Sequence, residues 1–219
     1  VARPAPGRAP AAPEDEPGTA RGRQVVVLLE QVRLAPLSFE PFEGVIGGER
    51  YREQLAHAAA ARELLDGRVL WNVNSTSAGG GVAEMLTSLI CYVRGAHVDA
   101  RWAVISGNDD FFKVTKRIHN RIHGGEGDGG ELGDDERAAY ERTLEDNTGE
   151  LLDLVGSDDI VILHDPQTVG LAKALRDAGA RVIWRCHVGL DEPNDVSRSA
   201  WTFLLPYADA AEACVFSRR

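Results

Sequence analysis

Apolar residues fall into short blocks whose spacing switches between the two regular periods. Val69–Val73 (VLWNV) is a compact apolar run with the length of a buried strand. Asn74–Ala78 is small and polar, and Gly79, Gly80 and Gly81 follow. Val82, Met85, Leu86, Leu89, Ile90 and Val93 then recur at helical spacing. The stretch therefore predicts a strand, a glycine loop and a helix in direct succession. Downstream, strands are predicted over Val98–Ile105, Asp159–Leu163, Arg181–Arg185 and Ala213–Phe216. Helices are predicted over Phe111–Ile122, Asp135–Val155 and Thr168–Ala178, and over Asp195–Tyr207, which stops near Pro206. Asp159–Leu163 (DIVIL) is nearly all apolar, as a strand buried on both faces should be.

This alternation predicts an α/β fold, a Rossmann-like parallel sheet with helices on both faces, over residues 67–219. Two segments precede it. Residues 1–23 are rich in Pro, Ala, Gly and charge and read as a disordered tail. Residues 24–66 read as an extension. In it Gln24–Leu34 has the character of an added edge strand, Pro36–Pro41 is a connector, and Gly48–Leu65 is a helix. That helix offers Tyr51, Leu55, Ala58, Ala59, Leu64 and Leu65 on an apolar side and ends at Gly67.

Ligands of open parallel sheets bind beyond the carboxyl ends of the strands. Three polar clusters are predicted there: Asn74–Gly81, His164–Gln167 and Arg185–Asn194. A glycine loop opening a helix leaves backbone N–H groups and the positive end of a dipole free for an anion. A tight turn is the plain alternative, since neither G-x-G-x-x-G nor a following Gly-Lys-Ser/Thr is present. Asn74, Asp165, Gln167, Arg185 and His187 have the donors and acceptors that a polyol needs. His164 reads equally as a structural histidine or a sugar contact. Arg185 reads equally as a buried partner of Asp165 or Asp191. The glycine-rich acidic stretch Gly124–Glu136 reads as a solvated loop, with a flap beside the cleft as the alternative. It lacks EF-hand spacing, and no metal site is predicted.

Charge and cysteine usage narrow the partners. The net charge of -10 and pI of about 5.1 argue against nucleic acid and anionic membranes. No apolar run approaches the roughly 18 residues that span a bilayer, and no secretory leader core is present at the N-terminus. Cys91, Cys186 and Cys214 are odd in number and widely spaced, which reads as buried free thiols in a reducing cytoplasm. Oligomeric state, a homodimer included, stays open.

The segments VNSTSAGGGVAEML, DARWAVISGNDDFFKVTKRIHN, HDPQ and WRCHVGLDEPN, in this order, closely resemble the trehalose synthases of the glycosyltransferring type. These are retaining GT-B glycosyltransferases that join a nucleotide-activated glucose to glucose. The resemblance implies the N-terminal, acceptor-side half of such an enzyme, without the C-terminal domain that holds most of the nucleotide. It implies that Gly79, Gly80 and Gly81 face the donor phosphates. It assigns His187, the expected catalytic residue, to the position that contacts the donor sugar; Asn74, His164, Asp165, Gln167 and Arg185 are the side chains of suitable type expected around the sugars. It implies a front-face transfer in which the leaving phosphate takes the acceptor proton, with neither cofactor nor metal. Gly189 stands where relatives tend to carry an acid, and Asp191 follows two residues later. Phe111, Phe112, Lys113, Lys116, His119 and Asn120 match a stretch near the acceptor side. By pattern alone the two phenylalanines are core and the lysines solvated. A chain that ends inside the first domain is expected to be a fragment, inactive by itself. A non-catalytic sugar-binding or regulatory module is the alternative.

Overall fold

The computed structural model describes residues 29–217, so the tail expected over 1–23 lies outside the described residues. One six-stranded sheet organises them. Its strands are β1 (Leu29–Val32), β2 (Leu70–Asn74), β3 (Ala100–Ile105), β4 (Ile160–His164), β5 (Arg181–Cys186) and β6 (Ala213–Phe216). They lie in the order β1-β3-β2-β4-β5-β6. Five strands are parallel, as the alternation of elements required. β1 pairs antiparallel with β3, so the sheet is mixed. An antiparallel edge strand on an otherwise parallel sheet is a common arrangement.

The helices are α1 (Glu43–Ile46), α2 (Gly48–Leu64), α3 (Gly81–Gly95), α4 (Asp109–Ile122), α5 (Asp134–Leu154), α6 (Ala172–Asp177) and α7 (Asp195–Ala208). Trp71, Val73, Val161, Leu163, Val182 and Trp184 point to one face of the sheet and pack into the large core under α4 to α7. On the other face, Ala83, Leu86 and Ile90 of α3 cover Ala100, Trp102 and Val104 of β3. Ile160, Ile162 and Ile183 on that second face are half-buried. Asp159 ties the far ends of β2 and β4 together. It accepts from the N–H groups of Val69 (2.8 Å) and Gly156 (2.8 Å) and from the Trp71 indole (3.2 Å).

Four expectations are corrected. The apolar side expected of α2 does not pack, and none of its residues is buried; Leu55 and Leu64 face solvent. Their spacing never gathers into one stripe. The helix expected over Thr168–Ala178 is split into a 3-10 turn (Val169–Leu171) and α6. Gly170 in that turn lies against Tyr140 and Leu144, where a Cβ would meet side-chain carbons at 2.9 and 2.5 Å. The Gly170 N–H donates to the Tyr140 hydroxyl at 3.0 Å. The acidic loop is pinned rather than merely solvated. The nearly buried Arg117 binds Asp128, Glu136 and the carbonyl of Glu131, and Arg121 donates to the Gly130 carbonyl at 2.6 Å. Last, Cys91 and Cys186 are buried free thiols, but Cys214 is exposed on the short edge strand β6. No helix among the described residues is long and apolar enough to cross a membrane.

Candidate active site

From β2 the chain first builds outward to β3, then returns past β2 to add β4 on its other side. That reversal opens a crevice beyond the carboxyl ends of β2 and β4. A cavity of about 410 Å³ lies there, bordered by the loop after β2, the start of α3, and the ends of β4 and β5. It gathers Asn74, Gly79, Gly80, Gly81, His164, Asp165, Gln167 and His187. All the site residues expected from the sequence are therefore brought together except Arg185. Arg185 sits half-buried on β5 outside the cavity lining, forms no ion pair among the described residues, and leaves its Nε buried without a partner.

The wall formed by the loop is backbone. Gly79 and Gly80 have φ of 76° and 87°, in the region that side chains avoid. Gly80, with ψ of 152°, caps α3 without any side-chain hydrogen bond. A Cβ on Gly79, Gly80 or Gly81 would meet nothing within 4 Å, so the glycines open space above the helix start. The N–H groups of the first turn of α3 carry no intrahelical partner and face this space with the helix dipole behind them. Asn74, beside them, is already engaged. Its Oδ1 accepts from the Trp102 indole (2.8 Å) and its Nδ2 donates to the Thr76 carbonyl (2.8 Å).

The opposite wall is built of side chains. His164 closes β4 and is buried, with Nδ1 3.0 Å from His187 Nε2 and Nε2 3.1 Å from Asn72 Oδ1. The two imidazoles stack with centroids 5.3 Å apart. Burial, followed by the nearby His187 and Arg185, pushes His164 down to about 3. Burial also lowers His187, against the opposing pull of Asp165. Asp165 has a left-handed backbone, φ 62°, unusual for a residue with a side chain. It is held there on three sides. Its N–H donates to the Arg185 carbonyl (2.9 Å), its carbonyl accepts from the Trp184 indole (3.0 Å), and its Oδ1 accepts the His187 N–H (2.7 Å). Burial raises its carboxyl above the ordinary range. Asp165 thus fixes where His187 leaves β5.

Residues 72–219 match the family model described as "Trehalose synthase, N-terminal domain". The chain belongs to this trehalose synthase family. It is 36% identical over 177 residues to the trehalose synthase of Pyrococcus horikoshii, covering 81% of this chain and 40% of that protein. It is 35% identical over 200 residues to the trehalose synthase of Rubrobacter xylanophilus, covering 88% and 44%. The chain therefore spans less than half the length of these curated relatives. Among solved structures, the α,α-trehalose-phosphate synthase (UDP-forming) of Burkholderia xenovorans, in complex with glucose-6-phosphate, aligns with a TM-score of 0.53 at 16% identity. The match covers 66% of this chain and 39% of that one. An E. coli trehalose-6-phosphate structure bound with UDP-2-fluoro glucose aligns at 0.52 and 17%, covering 67% and 39%. At such identity the likeness speaks for the fold: the Rossmann-like N-terminal half of a GT-B glycosyltransferase.

Within this trehalose synthase domain, two residues of the site escape a reading of the sequence. Asn72 lies inside an apolar run that reads as plain strand. Its signal was the Asn-x-Asn spacing, which sets Asn72 and Asn74 on one face. His119 of α4 also borders the cavity, with a buried Nδ1 that has no partner. Burial, His123 and Lys116 lower its pKa. By sequence it belongs to the acceptor-side stretch and not to the polar clusters at the strand ends. Of its neighbours there, Phe111 is core, whereas Phe112 is 39% exposed and corrects the expectation for the pair.

Proposed function

We propose that this chain is the acceptor-side domain of a retaining glycosyltransferase that makes trehalose from an NDP-glucose and glucose. The observation that carries the reading is the meeting, in one cavity, of the glycine-loop amides with His164, Asp165, Gln167 and His187. Support also comes from relatives named trehalose synthases and from fold neighbours whose bound molecules are glucose-6-phosphate and UDP-2-fluoro glucose.

In this reading the amides of Gly80 and Gly81 receive the distal phosphate of the donor, where negative charge grows as the glycosidic bond breaks. Gln167, Asp165 and His187 orient sugar hydroxyls by hydrogen bonds, and His187 is the residue set against the donor sugar. The acceptor hydroxyl gives its proton to the departing phosphate oxygen as its own oxygen bonds the anomeric carbon. No side chain need serve as general base, and no step runs through a metal. Arg185 shapes the field beside His187 from outside the cavity. The nucleotide is held by a second domain, so this chain alone binds sugar weakly and does not turn over, since half of the enclosing wall is elsewhere.

Isothermal titration of this chain with glucose, trehalose, UDP-glucose and ADP-glucose tests the reading. Binding of glucose or trehalose that disappears in His187→Ala is the expected result. Sugar binding that persists unchanged in His187→Ala, or binding of none of the four, would remove the assignment of this cavity.

A further inference from the structure

Asn72 is 3% exposed, and its Oδ1 lies 3.1 Å from His164 Nε2. His164 Nδ1 in turn lies 3.0 Å from His187 Nε2. The direction of every proton in this chain of contacts follows from its first member. An amide oxygen only accepts, so His164 carries its hydrogen on Nε2. A neutral imidazole has one N–H, so His164 Nδ1 only accepts. His187 must then donate from Nε2, and its Nδ1 is left as a lone pair. Both rings are kept neutral by burial, with the cation of Arg185 disfavouring a second charge and Asp165 opposing this at His187. Among the described residues, His187 Nδ1 has no hydrogen-bond partner, and the His187 ring borders the cavity.

We propose that Asn72 is a positioning residue: through His164 it fixes the tautomer of His187 and leaves His187 Nδ1 as a hydrogen-bond acceptor at the cleft. The ligand group that suits this atom is a hydroxyl donating its hydrogen. An ether, carbonyl or phosphate oxygen gains nothing from it. The amide turned the other way would reverse each proton and make His187 Nδ1 a donor, which inverts that selectivity. A sugar hydroxyl as the occupant rests on the function proposed above, but the tautomers do not.

The test is a long-range ¹H–¹⁵N correlation spectrum of the ¹⁵N-labelled chain near neutral pH, which separates protonated from unprotonated ring nitrogens. Both His164 and His187 are expected to carry hydrogen on Nε2. In Asn72→Leu, His164 loses its acceptor, and His187 is expected to shift towards the Nδ1-protonated form. A wild-type His187 protonated on Nδ1 would overturn the proposal, whether or not the variant folds. So would an Asn72→Leu variant that keeps the wild-type tautomers. The expected tautomers in a chain that binds no sugar would uphold the role of Asn72 and remove only the sugar reading.

Discussion

The two walls of the cleft are constructed in opposite ways. The β4–β5 wall is a set of groups already bonded to one another: the side chains of Asn72, His164 and His187 are linked in turn, and the His187 backbone N–H donates to the Asp165 carboxylate. The β2–α3 wall is bare backbone with open space above it, and its helix start has no side-chain cap. The first wall is fixed within the fold and leaves the cleft-facing Nδ1 of His187 open. The second is left to be completed from outside. Substitutions in the histidine wall should therefore disturb stability together with function. In the glycine wall the two separate at Gly81, where the backbone is helical and the Cβ position is open.

The largest effect is expected at His164. Removing its ring in His164→Ala leaves a cavity and strips partners from Asn72 and His187, which should cost about 2–4 kcal/mol. Chemical denaturation reads this directly, and a loss below about 1 kcal/mol would show the chain of bonds to be incidental. Acid sensitivity at the same residue is of comparable size. The unfolded chain takes up a proton on His164 near the ordinary value of 6.5, whereas the folded chain holds out to about 3. Stability from this group is complete above the ordinary value and falls as the pH drops towards the folded one, by about 1.4 kcal/mol per pH unit within the window. Asp165, with its raised carboxyl, acts in the opposite sense just above the ordinary carboxylate range. Denaturation midpoints between neutral pH and the carboxylate range should fall more steeply for the wild type than for His164→Gln. Parallel slopes would contradict the assignment.

The glycine wall gives the smaller effects. Gly80 occupies a backbone region nearly reserved for glycine, so Gly80→Ala should cost about 1–3 kcal/mol. Gly81 is already helical with open space at its Cβ position, and Gly81→Ala should be neutral or stabilising by up to about 1 kcal/mol. The second substitution is the more informative for function. It places a methyl group where the ligand phosphate is proposed to approach, without weakening the fold. Thermal unfolding of both variants checks the contrast, and equal destabilisation would deny it.

The contrast also explains what was legible in the sequence. The glycine wall depends on local backbone geometry, which a run of three glycines between strand and helix announces. The strand ends were legible because a parallel sheet directs polar clusters after its strands to one edge, and His164, Asp165, Gln167 and His187 follow that rule. What the pattern hides is tertiary. Asn72 shows only the Asn-x-Asn spacing, with nothing to mark a partner, until β4 places His164 beside it. The acidic loop looks solvated until Arg117 is seen beneath it. The close seat of Gly170 against Tyr140, thirty residues away in the chain, is likewise invisible in the local pattern. In α2 the apolar residues were present, but their spacing spreads them around the helix instead of gathering them on one side.

The most direct test of the two-walled cleft is to follow the backbone amide and imidazole resonances of the ¹⁵N-labelled chain while adding glucose and, separately, inorganic pyrophosphate. The account predicts that pyrophosphate moves the amides of Gly80, Gly81 and Val82, while glucose moves Gln167 and the His187 ring. Both sets of shifts should converge on the one cavity. Perturbations confined to other surfaces, or none at either wall, would contradict the claim that the two walls form a single sugar and phosphate site.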